Sequence, residues 1–300
     1  MARWPHLRGK YLGVLGRIAA GKSTLLATMG KLLRADRPDD RIKVLSEYFP
    51  VEVFENYKKD PHLIAEPFQT IMAAFAATRD FWARDLLADF PSATAISERP
   101  LPENYIFFKN NIDAGFIKED YHPNYHTVVR QFSQFAPDVM VYLHVTYKRS
   151  VDRMLKRADK DPSREAERSY DAGYLKGLGT NYFDFIVRHL ADQKQPPILV
   201  IDWNHEVDMD NEAEYEAVVA LLLDKLDAYF AAGRPAHKFK MERFQNAADD
   251  GLASSTGEVA SCVFRKPDGQ PVPFMPQQIF KLHDFVLGEI AADREFTLCF

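Results

Sequence analysis

Five short apolar runs alternate with longer segments of helical periodicity along the chain, and this alternation constrains the fold more than any other feature. The runs are KYLGVLG (10–16), IKVLSE (42–47), ATAISE (93–98), DVMVYLHV (138–145) and PILVIDW (197–203). Apolar spacing near 3.6 residues is clearest in STLLATMGKLL, FQTIMAAFAATRDFWARDLLADF and YEAVVALLLDKLDAYF. Apolar strands that alternate with helices are typical of a parallel sheet covered on both faces. The sequence therefore predicts an α/β fold with a five-stranded parallel sheet flanked by helices on both faces.

This pattern ends near Phe230, and the following AAGRPAHK has the Gly and Pro expected of a domain boundary. We predict one large domain over residues 1–235 and a C-terminal extension over residues 236–300. In the extension, EVASCVFRKPDGQPVPF predicts a hairpin around Asp268 and Gly269, and PQQIFKLHDFVLGEIAA predicts a helix. The residues of this extension indicate no function.

Composition and charge indicate which partners to expect and in which compartment the protein works. The 300 residues carry a formal net charge of -5, which gives no reason to expect a nucleic acid partner. The two cysteines, Cys262 and Cys299, match no metal spacing and favour a reducing environment. No apolar run reaches the roughly 18 to 20 residues of a membrane span, and MARWPHLRGK lacks the apolar core of a secretory signal. We expect an intracellular protein, cytoplasmic by default, with a mitochondrial location left open.

A phosphate-binding motif follows the first apolar run. Gly16, Gly21, Lys22 and Ser23 satisfy G-x-x-x-x-G-K-[ST], with a predicted strand before the motif and a predicted helix after it. Such a loop turns backbone N–H groups toward phosphate oxygens, its lysine neutralises charge, and its hydroxyl reaches Mg²⁺. The motif therefore predicts a nucleoside triphosphate such as ATP, together with Mg²⁺, without specifying the reaction.

Charged residues end two other apolar runs. Glu47 ends the second run, and Glu98 and Arg99 end the third. Ligands of open α/β sheets bind beyond the carboxyl ends of the strands, so we expect these side chains to converge beside the phosphate loop. Phosphoryl transfer to a hydroxyl needs a metal ligand, a group that orients or deprotonates the acceptor, and cations that offset charge. The three residues supply each of these parts.

Several segments, taken in order, resemble the deoxyribonucleoside kinases, the family of the deoxycytidine, deoxyguanosine and mitochondrial-type thymidine kinases. GRIAAGKST is similar to the family's GNIAAGKST-type loop, LSEYFPV to its TEPV segment, and YKKDPHLIAEPFQT to its YKDPxxWAxxFQxY stretch. SERPLPENYIFFKNNIDAG resembles its ERSxxSDRYIFxxNLxxxG signature, and APDVMVYLHVTYKRSVDRMLKRADK resembles the run that leads into its lid. The resemblance covers about residues 8–232. It implies a P-loop kinase fold and transfer of the γ-phosphoryl of ATP, or another nucleoside triphosphate, to the 5′-hydroxyl of a deoxyribonucleoside in nucleotide salvage.

The resemblance also implies roles for single residues. Glu47 would accept or orient the 5′-hydroxyl proton, Arg99 would contact the transferring phosphate or the 5′-oxygen, and Lys22 would complete the catalytic set. Ser23 and Glu98 would hold Mg²⁺. The residues that would bind the donor are Gly16, Ala19, Ala20, Gly21, Lys22, Ser23 and Thr24 of the loop, with Arg153 and Arg157 of the lid. The residues that would bind the nucleoside are Glu47, Tyr57, Gln69, Arg99, Glu103 and Phe107.

Three of the nucleoside-binding residues carry more specific expectations. Gln69 matches the glutamine that forms paired hydrogen bonds with the base edge. Tyr57 matches the position that holds the 3′-hydroxyl, with the register there open by one residue. Either Phe107 or Phe108 would stack on the base, with core packing as the alternative for each.

The chain departs from the family pattern at three places. The tryptophan that follows the family's catalytic glutamate is absent, which leaves Phe49 or Phe54 in its place. ERPLPENYIF is one residue shorter than ERSxxSDRYIF. If the gap precedes the acidic position, Glu103 reads an amino-bearing base and favours deoxyadenosine, deoxyguanosine or deoxycytidine over thymidine; otherwise Asn104 faces the base. In the lid, Asp159 stands where a second closely spaced arginine is expected.

Two other functions stay open. A nucleoside monophosphate kinase shares the fold and the loop but needs an extra cationic pocket for the acceptor phosphate. A non-catalytic nucleotide-binding subunit, similar to the kinase-fold accessory subunit of respiratory complex I, would fit the altered lid and the unassigned extension. The intact GKST, Glu47 and the Glu98–Arg99 pair favour the kinase. Because the family pairs through helices beside the sheet, we also expect a homodimer built on helices such as residues 68–90.

Overall fold

The computed structural model describes residues 2–119, 122–160, 172–191, 198–203 and 211–231, the single positions 168, 170 and 196, and four short strands near the C-terminus. The strands of the main sheet are β1 (Lys10–Gly16), β2 (Ile42–Leu45), β3 (Thr94–Glu98), β4 (Val139–His144) and β5 (Ile198–Asp202). The helices are α1 (Lys22–Asp36), α2 (Val51–Lys59), α3 (Pro61–Asp89), α4 (Leu101–Asp113), α5 (Pro123–Phe132), α6 (Tyr147–Lys160), α7 (Ala172–Ala191) and α8 (Glu212–Ala231). Within this described part of the chain, no helix has the length and apolar character needed to cross a bilayer.

The main sheet has the strand order β2-β3-β1-β4-β5, and all of its neighbouring strands are parallel. This confirms the five-stranded parallel sheet expected from the apolar runs. β1 lies at the centre, and the chain proceeds to β2 and β3 on one side before it crosses to β4 and β5 on the other. A ligand site in such a sheet lies where the strand order reverses, beyond the carboxyl end of the central strand. The phosphate loop follows β1 at this point.

Helices cover both faces of the sheet. Leu25 of α1, Leu223 of α8 and Val14 of β1 belong to one buried core. On the opposite face, Ala83 of α3 packs with Tyr11 of β1, because alternate residues of a strand point to opposite sides. A further apolar core joins α2, α3, α4 and α5. The helices on this second face build the walls of the cavity described below.

The long helix α3 begins seven residues before the helical pattern that is clearest in the sequence. Pro67 lies inside the helix, where it removes one backbone donor and obscures the start of the pattern. The helix begins instead at Pro61, a residue well suited to the first helical position. Asp60 caps it, since its Oδ1 accepts a hydrogen bond from the Leu63 amide at 3.1 Å. The result is a 29-residue helix that runs past the cavity and on beside the sheet.

The extension contributes the strands β6 (Phe239–Glu242), β7 (Cys262–Arg265), β8 (Pro271–Phe274) and β9 (Phe296–Cys299), in the order β6-β9-β7-β8. β7 and β8 pair antiparallel on either side of the segment where the sequence predicts a hairpin. The turn itself and the helix predicted over residues 276–292 lie outside the described residues. The domain boundary at residue 235 stays a prediction.

Asp80 of α3 connects the start of α4 to the sheet through hydrogen bonds. The carboxyl is fully buried, and it accepts hydrogen bonds from the Tyr11 hydroxyl and, at 3.0 Å, from the Leu101 amide at the start of α4. The Tyr11 hydroxyl also lies 2.6 Å from the Ser97 Oγ of β3. Burial raises the pKa of Asp80 from 3.8 to about 7, and the hydrogen bonds from Tyr11 and Leu101 offset only part of this effect.

Asp80→Asn should lower the free energy of unfolding by about 1 to 3 kcal/mol, because asparagine offers a single acceptor oxygen to the two donors. The difference in the free energy of unfolding between wild type and Asp80→Asn should also depend on pH. The reason is that the pKa of Asp80 is about 7 in the folded protein, whereas the ordinary value is 3.8. A raised pKa gives stability that is complete at low pH and is lost as pH rises through the folded value. Urea unfolding of both proteins at about pH 5 and pH 8 measures this. A wild-type advantage that grows toward pH 8 would contradict it.

Candidate active site

A cavity opens at the carboxyl ends of β1, β2 and β3, between the phosphate loop and the second helical layer. Of the residues predicted from the sequence, it brings together Ala19, Lys22, Ser23, Glu47, Tyr57, Gln69, Glu98, Arg99, Glu103, Phe107 and Arg157. The other predicted residues belong to the loop or contact it without lining the described cavity, namely Gly16, Ala20, Gly21, Thr24 and Arg153. The site predicted from separate strand ends is therefore one connected space.

The phosphate loop has the backbone that its motif requires. Gly21 precedes α1 with φ +92°, a conformation that residues with a side chain rarely adopt. The Lys22 ammonium is buried and donates hydrogen bonds to the carbonyls of Gly16 at 3.0 Å and Arg17 at 3.2 Å. Burial lowers the pKa of Lys22 from 10.5 to about 8, and the Arg99 charge acts in the same direction. A phosphate would supply this lysine with a stronger, charged acceptor than the loop carbonyls.

Ser23 and Glu98 face each other beside the loop. The Ser23 Oγ lies 3.1 and 3.0 Å from the two carboxylate oxygens of Glu98, and the Lys22 Nζ lies 4.0 Å from one of them. Hydroxyl and carboxylate oxygens are ligands that Mg²⁺ prefers, and in nucleotide sites one or two of them suffice because phosphates and water complete the set. Among the described residues no cluster of three or more metal-binding side chains occurs. The Ser23–Glu98 pair therefore fits a Mg²⁺ that is held jointly with a nucleotide.

Arg99 is held on all sides at the wall of the cavity. Its Nε donates to Glu47 Oε2 at 3.0 Å, and its Nη1 donates to Glu103 Oε1 at 3.0 Å and to the Tyr182 hydroxyl at 3.2 Å. The guanidinium carbon also lies 4.4 Å from the centre of the Phe107 ring, a cation–π contact. Burial alone would lower the pKa of Arg99, but Glu47 and Glu103 raise it well above its ordinary value. The guanidinium therefore stays charged.

The backbone of Arg99 is strained. Its φ is +50°, in the left-handed region that residues other than glycine seldom occupy. The Arg99 amide donates to the Val14 carbonyl at 3.1 Å, and the Arg99 carbonyl accepts from Arg79 Nη2 at 2.9 Å. A conformation of this kind persists only where its surroundings fix it, and such residues cluster at functional sites. The turn thus directs the Arg99 side chain into the cavity instead of along the sheet edge.

Glu103 connects the loop, Arg99 and α7. Its Oε1 accepts hydrogen bonds from the Gly16 amide at 3.0 Å, from Arg99 and from the Tyr182 hydroxyl, whereas its Oε2 has no partner among the described residues. Burial raises the pKa of Glu103, although the Arg99 and Lys22 charges oppose the shift. Both Glu103 and Asn104 line the cavity, so the two alternatives for the base-facing residue stay open.

Other nucleoside-binding candidates lie on the far wall. The Tyr57 hydroxyl donates to Asn111 Oδ1 at 2.7 Å. Gln69 is 2% exposed, and its Oε1 has no hydrogen-bond partner within the described part of the chain. Unpaired polar atoms at a cavity wall are suited to a ligand that carries complementary groups.

The aromatic residues divide between cavity and core. Phe49 and Phe54 line the cavity with ring centres 4.7 Å apart, in the segment where the family tryptophan is expected. Phe107 also lines the cavity, but Phe108 is buried against Tyr125 with ring centres 3.8 Å apart. Of the two phenylalanines considered for stacking, the structure therefore places Phe107 where a ligand could reach it.

The lid candidates occupy different places. Arg157 of α6 lines the cavity. Arg153, one turn earlier, donates to the carbonyls of Ala20 at 3.4 Å and Trp203 at 3.1 Å, so it supports the loop from outside the cavity. Two further basic residues follow in the same stretch of sequence: Lys156 is exposed, and Arg164 lies outside the described residues.

Sequence reasoning missed two residues of this region. Tyr182 of α7 belongs to no motif, and only the packing of α7 against α4 brings its hydroxyl to Glu103 and the Gly16 carbonyl. Arg79 lines the cavity from α3. A signal for Arg79 exists, because it follows Gln69 at a spacing that puts both on one helix face.

Comparisons with known proteins identify the family of this chain. A model of the deoxynucleoside kinases matches residues 12–226. The chain belongs to the deoxynucleoside kinase family. It is 24% identical to the deoxyadenosine kinase of Dictyostelium discoideum over 221 residues, which cover 71% of this chain and 82% of that protein.

Solved structures of the M. mycoides deoxyadenosine kinase share the fold. The structure with the products dCMP and dCDP is 24% identical with a TM-score of 0.52, and it covers 73% of this chain and 99% of its own. The structure with bound dATP is 25% identical with the same TM-score and the same coverage. Family membership makes this chain an ATP-dependent deoxynucleoside kinase, and nothing in the comparisons favours the monophosphate kinase or the non-catalytic subunit.

Tyr182→Phe should lower kcat of this kinase by roughly tenfold and change the KM for nucleoside by less than about threefold. The lost hydroxyl loosens Arg99 and Gly16, yet Tyr182 itself does not line the described cavity. Steady-state kinetics test this, with Tyr105→Phe as the matched control because Tyr105 of α4 is 41% exposed. A raised KM with unchanged kcat would show that Tyr182 does not act through Arg99.

Proposed function

We propose that this kinase transfers the γ-phosphoryl of ATP to the 5′-hydroxyl of a deoxyribonucleoside with an amino-bearing base. Deoxyadenosine is the natural substrate that we propose to test first. The observation that carries the proposal is the Glu47–Arg99 pair, 3.0 Å apart, in the same cavity as Lys22 and Ser23 of the phosphate loop. An acceptor-activating carboxylate beside a donor phosphate site is what transfer to a hydroxyl requires. The names of the related kinases support deoxyadenosine.

The proposed reaction assigns one task to each charged group. The phosphate loop and Lys22 bind the donor phosphates, with Arg157 reaching them from α6. Glu47 accepts the proton of the 5′-hydroxyl as the 5′-oxygen bonds to the γ-phosphorus. The bond from that phosphorus to the β,γ-bridging oxygen breaks, and ADP leaves. Arg99 neutralises the charge that gathers on the transferred group.

Mg²⁺ is the proposed metal, with Ser23 and Glu98 as its protein ligands. When bound, it would offset charge on the β- and γ-phosphates. The close approach of the Ser23 hydroxyl to both Glu98 oxygens supports this assignment, because both groups then face one point beside the loop. Nucleotide binding by Glu98→Gln that shows the same Mg²⁺ dependence as wild type would contradict the assignment.

The nucleoside would lie between the two helical walls. Gln69 is proposed to bond the base edge, Phe107 to stack on the base, and Tyr57 to bind the 3′-hydroxyl through its oxygen. Gln69 Oε1 and Glu103 Oε2, which have no hydrogen-bond partner among the described residues, supply acceptors for an amino group. Thymine has a single ring N–H and no amino group, so it satisfies fewer of these acceptors.

We also propose that the kinase is a homodimer and works inside the cell, where ATP is abundant. Phe81 and Trp82 of α3 support pairing, since they are 41% and 56% exposed on a helix beside the sheet. Sedimentation equilibrium that gives the mass of one chain at micromolar concentration would rule out the dimer.

Glu47→Gln should reduce kcat by about 100-fold or more, because an amide cannot accept the 5′-hydroxyl proton. ATP binding should persist, since Glu47 is not part of the phosphate loop. Monophosphate formation from each of the four natural deoxyribonucleosides, with ATP and Mg²⁺, measures the effect. Glu52→Gln is a suitable control because Glu52 is an exposed residue of α2. Turnover by Glu47→Gln at the wild-type rate would exclude Glu47 as the base, and a wild-type enzyme that turns over no nucleoside would exclude the proposed reaction.

A further inference from the structure

Arg79 lies in the cavity wall, and two of its guanidinium nitrogens have no hydrogen-bond partner among the described residues. It is 6% exposed and follows Gln69 by ten residues on the same face of α3. Long side chains of a helix lean toward its N-terminus, which here means toward Gln69. Arg79 and Gln69 therefore line one cavity from the same helix.

Arg79 carries five N–H donors, and only part of this capacity is used. Its Nη2 donates to the Arg99 carbonyl at 2.9 Å. Its Nε and Nη1 are buried and have no hydrogen-bond partner among the described residues. Leaving charged donors unpaired in a buried site is costly, so a ligand that offers an acceptor to Arg79 gains from binding there.

Unpaired acceptors line the same cavity. They are Gln69 Oε1, Glu103 Oε2 and Asn104 Oδ1, all buried and without a partner in the described part of the chain. Donors and acceptors thus line one space without satisfying one another. A ligand that carries both an acceptor atom and N–H groups would complete both sets, and a heterocyclic base with an amino group has this chemistry.

We propose that Arg79 is a specificity-determining residue of the kinase, which donates a hydrogen bond to a ring-nitrogen acceptor of an amino-bearing base. The proposal rests on the proposed function, because it assumes that the cavity binds a deoxyribonucleoside. It adds a cationic donor on α3 to the base-edge contacts proposed for Gln69 and Glu103.

Arg79 also reaches the strained turn that carries Arg99. Arg79 holds the Arg99 carbonyl, and Asp80 accepts from the Leu101 amide at 3.0 Å. Two adjacent residues of α3 thus fix the backbone on both sides of Pro100. The residue that is proposed to bond the base is therefore also the residue that holds the Arg99 carbonyl. Loss of Arg79 affects both discrimination among bases and turnover.

The test pairs protein variants with single-atom changes in the substrate. The best natural deoxyribonucleoside is compared with analogues that lack one ring acceptor each, namely the 7-deaza form of a purine, the 1-deaza form of adenine or the 3-deaza form of cytosine. For the wild type, removal of the contacted atom should lower kcat/KM by roughly tenfold to hundredfold. In Arg79→Met, the same removal should change kcat/KM by less than about twofold, since no donor is left to lose its partner.

Arg79→Lys separates the two contacts. Lysine keeps the charge and can still bond the Arg99 carbonyl, but it lacks the rigid set of additional donors. It should keep more of the wild-type kcat than Arg79→Met keeps, and it should lose most of the discrimination among analogues. Thr78→Val is the control, because Thr78 is exposed on the same helix and its hydroxyl donates to the Ala74 carbonyl of that helix.

The outcomes distinguish this inference from the proposed function. An equal loss on each analogue in wild type and Arg79→Met, or no loss in either, overturns the role of Arg79 while leaving the kinase activity intact. A uniform fall in kcat in Arg79→Met, without any change in discrimination, assigns Arg79 to positioning Arg99 alone and also overturns it. Absence of turnover by the wild type with every deoxyribonucleoside defeats the proposed function instead.

Discussion

The pairing of buried charge around Arg99 is the constraint on which the site depends. A largely buried guanidinium and several carboxylates lie together at the carboxyl end of the central strands, where an unpaired charge would be costly. Arg99 and Lys22 are the cations, and Glu47, Glu98 and Glu103 are the acids. With every group of this cluster ionised, two positive and three negative charges give it a formal charge of -1, and Arg79 and Arg157 bring further positive charge to the same cavity. A divalent metal at Ser23 and Glu98 would add to this positive charge when a triphosphate binds.

The sheet topology places this cluster. Because β1 lies between β3 and β4, the loop that leaves β1 and the turn that leaves β3 meet at one edge. The Val14 carbonyl of β1 then accepts from the Arg99 amide, and the Gly16 amide donates to Glu103. These contacts stabilise the positive φ of Arg99, a strained conformation that residues other than glycine seldom adopt. The phosphate loop and the proposed acceptor side are thus parts of one hydrogen-bonded unit.

Sequence reasoning captured the features that have local signals. The alternation of apolar runs with helical segments predicted the five-stranded sheet, the glycine-lysine motif predicted the loop, and the polar ends of the apolar runs identified Glu47, Glu98 and Arg99. Tyr182 was missed because it is an aromatic residue in an apolar helix. Only the packing of α7 against α4 brings its hydroxyl to the site. The proposed base-reading role of Glu103 was read from a motif, but its bond to the Gly16 amide depends on a strand-to-helix contact across 87 positions. Arg79 was accessible in principle, since helical spacing from Gln69 places it on the cavity face.

The position of Glu103 limits how the specificity of this kinase can change. Its Oε1 is committed to Gly16, Arg99 and Tyr182, so only its Oε2 is left for a base. A substitution at this position that alters base preference also removes the acceptor that orders the loop and Arg99. Asn104 and Gln69 line the same cavity, and their unpaired side-chain oxygens carry no such link to the loop. Selectivity can therefore vary at these two positions with less effect on catalysis than at Glu103, where recognition and catalysis depend on one carboxylate.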